Sequence, residues 1–238
     1  MQVASVPWLL YVGAGSAAIP PLAVLALRRR PRGAAAWILA WCLLLVGQEV
    51  AGFAAAVVYR NNLWVGYAVQ PAGTALVVWA LSAWQARDVA RSTLRIALPL
   101  ALGVWAVLVV AVENTSTFST AAEPLLSVLT LAAAAWTLVT RSLDEAADGL
   151  ARQDWFWTCV GLCLYFASLS TLGPLAALLS GDIPLLARAY ELKSVVDVVA
   201  FILIARGITC QVQPRPSGAS SSPASFPSAS SSSLSGRR

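Results

Sequence analysis

The chain has 238 residues, 58% of them hydrophobic and only 11% charged, with a mean hydropathy of +0.72, whereas soluble domains carry about 25% charged residues. That balance excludes an ordinary soluble domain and points to a polytopic membrane protein. The net charge of +5 comes from arginines in short runs between apolar segments, which speaks against a nucleic-acid partner, and the absence of histidine excludes imidazole metal sites and histidine acid–base catalysis.

Seven apolar segments of spanning length, about 17–25 residues each, are predicted at 7–27, 35–59, 63–85, 96–112, 119–140, 155–180 and 185–206. The fold class expected is all-α: a seven-transmembrane-helix bundle over residues 1–210, followed by a tail. The first segment has its arginines (Arg28, Arg29, Arg30, Arg32) after the apolar stretch, whereas a secretory signal carries charge before it. It therefore reads as a spanning helix, kinked where Pro20 and Pro21 remove backbone donors.

Arginines also follow the third segment (Arg87, Arg91, Arg95) and the fifth (Arg141, Arg152), while the alternate connections hold Arg60, no basic residue over 113–120, and Arg188. Basic loops stay in the cytoplasm, so the N-terminus is expected outside and the C-terminus inside, and the Ala- and Arg-rich composition suggests the inner membrane of a bacterium. Trp8 and Trp64 then fall at the outer boundary, and Trp37, Trp84, Trp155 and Trp157 at the inner one. Asn114–Thr115–Ser116 matches a glycosylation sequon, which carries no weight in a bacterium. From Gln211 to Arg238 the composition turns to Ser, Pro and Gly, and a tail so poor in apolar side chains is expected to be disordered.

Cys159 and Cys163 lie one helical turn apart, but two thiolates without further ligands cannot close a zinc site. No metal or cofactor is expected. The chemistry that remains centres on the last segment. Its Lys193 is the only lysine in the chain, and Tyr190, Lys193, Ser194 and Asp197 share one helical face at i, i+3, i+4 and i+7. Intramembrane charge is costly and marks ligand or ion sites. Glu49, about ten residues from the outer end of the second segment, lies at a depth similar to that of Asp197. Glu49, Lys193 and Asp197 are therefore expected to meet in one polar cluster.

The third segment adds Tyr67 and Gln70 on one face, with Pro71 freeing a carbonyl a turn earlier. In the fifth, Ser127, Thr130 and Thr137 line up behind Glu123, which lies at the outer edge. The sixth holds Ser170 near a break expected at Gly173 and Pro174. Each feature also has a plainer reading. Lys193 and Asp197 can neutralise one another across a turn, and the hydroxyls and amides can serve as interhelical hydrogen bonds, about 0.6 kcal/mol each. A lone lysine in a seventh helix raises a retinal Schiff base, with Asp197 or Glu49 as counter-ion. Microbial rhodopsins, however, place an aspartate in the third helix and the lysine after the seventh-helix aspartate; here the third segment offers Gln70 and the order is reversed.

Asn62–Leu63–Trp64, Trp155–Phe156–Trp157 with Gly161, Leu162, Leu164, Tyr165 and Phe166, and Ser194, Asp197 and Phe201 give the chain a wording that resembles a group of uncharacterised bacterial seven-helix membrane proteins. The resemblance implies the seven-helix topology and no activity. Members often carry an acid in the third helix and an amide in the seventh, where this chain has Gly73 and Asp197.

The expectation is thus a non-enzymatic, sensor-like membrane module that binds a small molecule or a membrane-protein partner in a polar pocket among the second, third and seventh helices. Its site residues would be Glu49, Lys193, Asp197, Tyr190, Ser194, Gln70 and Tyr67. The alternative is a proton- or ion-coupled carrier of small solutes. An intramembrane hydrolase would need Ser194 with Lys193, or paired acids, and no complete triad can be written.

Overall fold

The computed structural model describes residues 8–113, 119–144, 149–179 and 183–210. The glycosylation sequon and the Ser/Pro-rich tail lie outside them. The described residues are helical, with no strand. The first apolar segment is split into α1 (Trp8–Gly15), a 3-10 turn (Ser16–Ala18) and α2 (Ile19–Ala26). Then follow α3 (Ala34–Tyr59), α4 (Leu63–Trp84), α5 (Asp88–Ala111), α6 (Ala122–Asp144), α7 (Asp154–Leu178) and α8 (Ile183–Thr209), with a 3-10 turn (Leu150–Arg152) before α7.

Five of these helices, α3 to α7, are long and apolar enough to cross a membrane, the pattern of a multi-pass membrane protein. The first segment offers a shorter apolar stretch, Tyr11–Ala26. Helix α8 has the length, at 27 residues, but its Arg188, Glu191, Lys193 and Asp197 make it more polar than the other five.

Three details depart from the sequence expectation. The break in the first segment comes before Pro20 and Pro21, which open α2. Neither proline can donate to the carbonyls of Ser16 and Ala17, so the turn ahead of them tightens to 3-10 geometry. The Ser16 hydroxyl donates to the Gly13 carbonyl there, at 2.5 Å. Helix α5 starts at Asp88, eight residues earlier than position 96, because its amphipathic first turns run on past the apolar core; Arg91 pairs with Asp88 at 3.1 Å. Helix α7 passes through Pro174 and ends at Leu178.

The helices close a ring in the order α1/α2, α8, α7, α6, α4, α3, with α5 outside against α4 and α6. Helix α8 can sit against both α1 and α7 because glycines remove the intervening side chains. A Cβ at Gly13 would lie 2.5 Å from Ser194 Oγ, and one at Gly161 would lie 2.6 Å from the Ala200 carbonyl oxygen. At the centre Trp41 stacks on Phe166 and Phe201, ring centroids 5.8 Å apart in each case, and meets Tyr165 edge-on at 5.4 Å. Outward faces are equally apolar: Val50, Phe53 and Val57 on α3, and Leu192, Val195, Val199 and Ile202 on α8, are all exposed. Apolar side chains on both sides are what a bilayer selects, since lipid tails solvate them as well as a core does.

Candidate functional site

The aromatic cluster borders a polar cavity, through Tyr165 and Phe201 on one side and Trp41 and Phe166 on another. Its main chamber, about 440 Å³, is lined by Gln48, Glu49 and Gly52 of α3, Asn62 before α4 with Leu63, Val65, Gly66, Tyr67 and Gln70 of α4, Ser119 and Glu123 at the start of α6, Leu169, Leu172 and Ala176 of α7, and Tyr190 and Lys193 of α8. A second chamber of about 330 Å³ lies towards α1, walled by Gly13, Ala14, Ala17, Tyr165, Ser194, Asp197 and Phe201. Both are bounded by Gln48, Glu49, Tyr190 and Lys193. A recess of about 60 Å³ runs deeper between Trp41, Thr74, Ser127 and Phe166, with Gln48, Gln70 and Glu123 at its edge.

Lys193 forms an ion pair with Asp197 one turn on, and its ammonium stands 5.5 Å from the Tyr165 ring centroid. Asp197 is buried and also receives the Ser168 hydroxyl at 3.4 Å. Glu49 is exposed on the cavity wall, within electrostatic reach of both Lys193 and Asp197. Glu123 is half-buried and likewise senses Lys193. Among the described residues neither glutamate has a hydrogen-bonding or ion-pairing partner for its carboxylate.

The remaining sequence candidates divide. Tyr190 lines both chambers and its carbonyl accepts the Ser194 hydroxyl at 2.9 Å. Ser194 is therefore committed to its own helix and, through Gly13, to α1. Gln70 donates to the Glu123 carbonyl at 3.1 Å and accepts from Trp105 Nε1 at 3.3 Å, tying α4 to α6 and α5. Tyr67 is buried beside Ser119 and Glu113. Thr130 and Thr137 bond back to Leu126 and Ala133 at 2.7 and 2.8 Å. Ser127, by contrast, is 1% exposed with no partner for its hydroxyl among the described residues, and it faces the deep recess.

Two acids gain importance that their positions in the sequence did not convey. Glu123, read as peripheral, is a cavity wall because the main chamber opens at the helix ends that carry Asn62, Ser119 and Ala176. Glu113, in the α5–α6 connection, caps α6 from a distance. Its Oε1 accepts the Thr120, Ala121 and Ala122 N–H groups at 2.8, 2.6 and 3.1 Å, and Ser119 donates to Oε2 at 2.9 Å. Ser119 Oγ in turn accepts the Glu123 N–H at 2.8 Å. These are the donors a helix start leaves unpaired, and the helix dipole favours an anion there. Partial burial raises the Glu113 carboxyl, but the N–H groups of Ala121 and Ala122, the Ser119 hydroxyl and the Thr120 N–H outweigh it and hold it below the ordinary carboxylate value. The signal for such a cap is a helix start without its own partner, filled here by a residue from the preceding helix end.

Among the described residues no group of three His, Cys, Asp or Glu side chains is placed to hold a metal ion. Cys42, Cys159, Cys163 and Cys210 are free thiols. Set against known protein families, characterised proteins and solved structures, the chain matches none of them.

Proposed function

We propose that this is a seven-helix protein of the bacterial inner membrane, N-terminus outside, that binds a small ligand in its polar cavity without transforming it, as a sensor module does. The observation that carries the reading is that Glu49 and Lys193, on helices far apart in sequence, border the same 440 Å³ chamber with Tyr67, Gln70 and Tyr190. That volume is in the range of sites that enclose one small molecule, roughly 300–1,000 Å³. The chamber opens at the end that arginine counting places outside.

In this reading α1/α2 and α8 also span the bilayer. The charges of α8 that point inward line the cavity, while Leu192, Val195, Val199 and Ile202 face lipid. The engagement of Ser194 with Tyr190 and Gly13 argues against a Ser/Lys hydrolase.

Gly66 provides the test, since it borders the chamber and a Cβ there would meet no atom within 4 Å. Gly66→Trp should place an indole in the chamber and block part of it. In a thermal-stability screen of small solutes in detergent, at least one solute is expected to stabilise the wild type and not this variant. If none separates the two, the ligand-site reading is wrong. The grouping of Glu49, Glu123 and Asp197 around one ammonium also fits a proton-coupled carrier. Proton flux in reconstituted vesicles distinguishes them, because the sensor carries none.

A further inference from the structure

We propose that the ligand of the main chamber is a small organic cation, an ammonium head group on an apolar body. This rests on the chamber being a ligand site and specifies its chemistry. The charge inventory is the first argument. Two carboxylates, Glu49 and Glu123, border the chamber without partners among the described residues, and the cation that could neutralise them, Lys193, is already bound to Asp197. An anionic ligand would bring a third negative charge against two in a partly dry site, where charge interactions are weakly screened. A cation is attracted by both.

The second argument adds a neutral group beside Glu123. The recess beside Glu123 is also lined by Ser127, whose buried hydroxyl has no partner among the described residues, although buried polar atoms ordinarily find a hydrogen-bond partner. A hydroxyl oxygen there accepts from an N–H donor, and an ammonium held at Glu123 supplies one. Third, the aromatic side chains Tyr67 and Tyr190 stand in the wall, and tyrosine faces attract cations. Leu63, Leu169 and Leu172 give the rest of the molecule an apolar surface.

Three probes of one shape test this: 2-phenylethylammonium, its neutral counterpart 2-phenylethanol, and the anion 3-phenylpropionate. Each is titrated calorimetrically into the full-length protein in detergent. The ammonium is expected to bind at least tenfold more tightly than the alcohol, and the carboxylate more weakly still. Glu123→Gln and Glu49→Gln should each lower ammonium affinity about tenfold while leaving the alcohol unchanged. Glu49 is exposed and has no carboxylate partner among the described residues, so its variant probes the site even if Glu123→Gln folds poorly. Equal binding of the alcohol or the carboxylate overturns the cation assignment and leaves the ligand site standing. Failure of all three probes to bind also overturns it, and the Gly66→Trp screen then judges the site separately.

Discussion

Replacing Lys193 by methionine removes the ammonium and keeps most of the side-chain volume, so the variant isolates what the charge does for Asp197. The two side chains are 18% and 8% exposed. Removing one partner of a buried ion pair costs about 3–5 kcal/mol, because the other charge is left uncompensated. The carboxylate can limit this by taking up a proton. For an acid of ordinary pKa near 3.9 that costs about 4 kcal/mol at pH 7, roughly three units at about 1.4 kcal/mol each. The Ser168 hydroxyl at 3.4 Å and water entering the 330 Å³ chamber recover part of the loss. The expected destabilisation of Lys193→Met is therefore about 2–4 kcal/mol. Lys193→Met combined with Asp197→Leu removes both charges and should return to within about 1 kcal/mol of the wild type, as replaced buried pairs often do. A double-mutant cycle read by reversible unfolding in mixed micelles measures both numbers. If the single variant lies within 0.5 kcal/mol of the wild type, or the double variant is as unstable as the single, roughly by the scale of surface substitutions, the ion pair is not what neutralises Asp197.

Glu113 governs the acid limb. Its carboxyl is held below its ordinary value in the folded state, so its contribution is complete above the unfolded value of 4.5 and is lost as pH falls through the lower folded value. Glu113→Gln should lower the unfolding temperature at neutral pH and flatten its dependence below pH 4.5; an unchanged acid limb would exclude the cap. Gly161→Ala forces a methyl to 2.6 Å from the Ala200 carbonyl and should cost about 1–3 kcal/mol. Gly103→Ala, where nothing lies within 4 Å, should be neutral or stabilising by up to about 1 kcal/mol, and equal effects at the two sites would contradict the α7–α8 packing. Asn62→Cys, on an exposed residue at the mouth of the chamber, is expected to react with an impermeant thiol reagent in intact cells while Cys210 stays protected. The opposite labelling would invert the proposed orientation.

The helical class was legible because hydropathy over twenty-residue windows is a strong signal, and α3 to α7 answer to it. The face of α8 was legible from spacing, since the helical period places Tyr190, Lys193 and Asp197 together, and all three border the cavity system. Glu49, placed by the rise per residue near the depth of Asp197, borders the same chamber as Lys193. What a single chain position cannot convey is the shape of the space between helices. Glu123 reads as peripheral because Pro124 after it marks the first turn of a helix, yet it borders the chamber, so a residue at a helix end and one near mid-helix share a wall. Glu113 was passed over because its partners are backbone N–H groups, which every sequence supplies and none advertises. Ser194 had the right face but the wrong neighbour, since the glycine opposite it, Gly13, lies in the first helix of the chain.

Helix α3 is anchored along α4 but touches α8 at few points, and Glu49 sits on that thinly joined side. If α3 and α4 move together as a pair, the cavity works as a box with one hinged panel, and the seam between α3 and α8 is where it would yield. A guest held by Glu49 on one side and the α8 wall on the other would draw this seam together without disturbing the aromatic cluster. Spin labels at Val50 and Leu192, both on outward faces, should then approach each other on ligand addition, and an unchanged distance would mean that the panel is fixed.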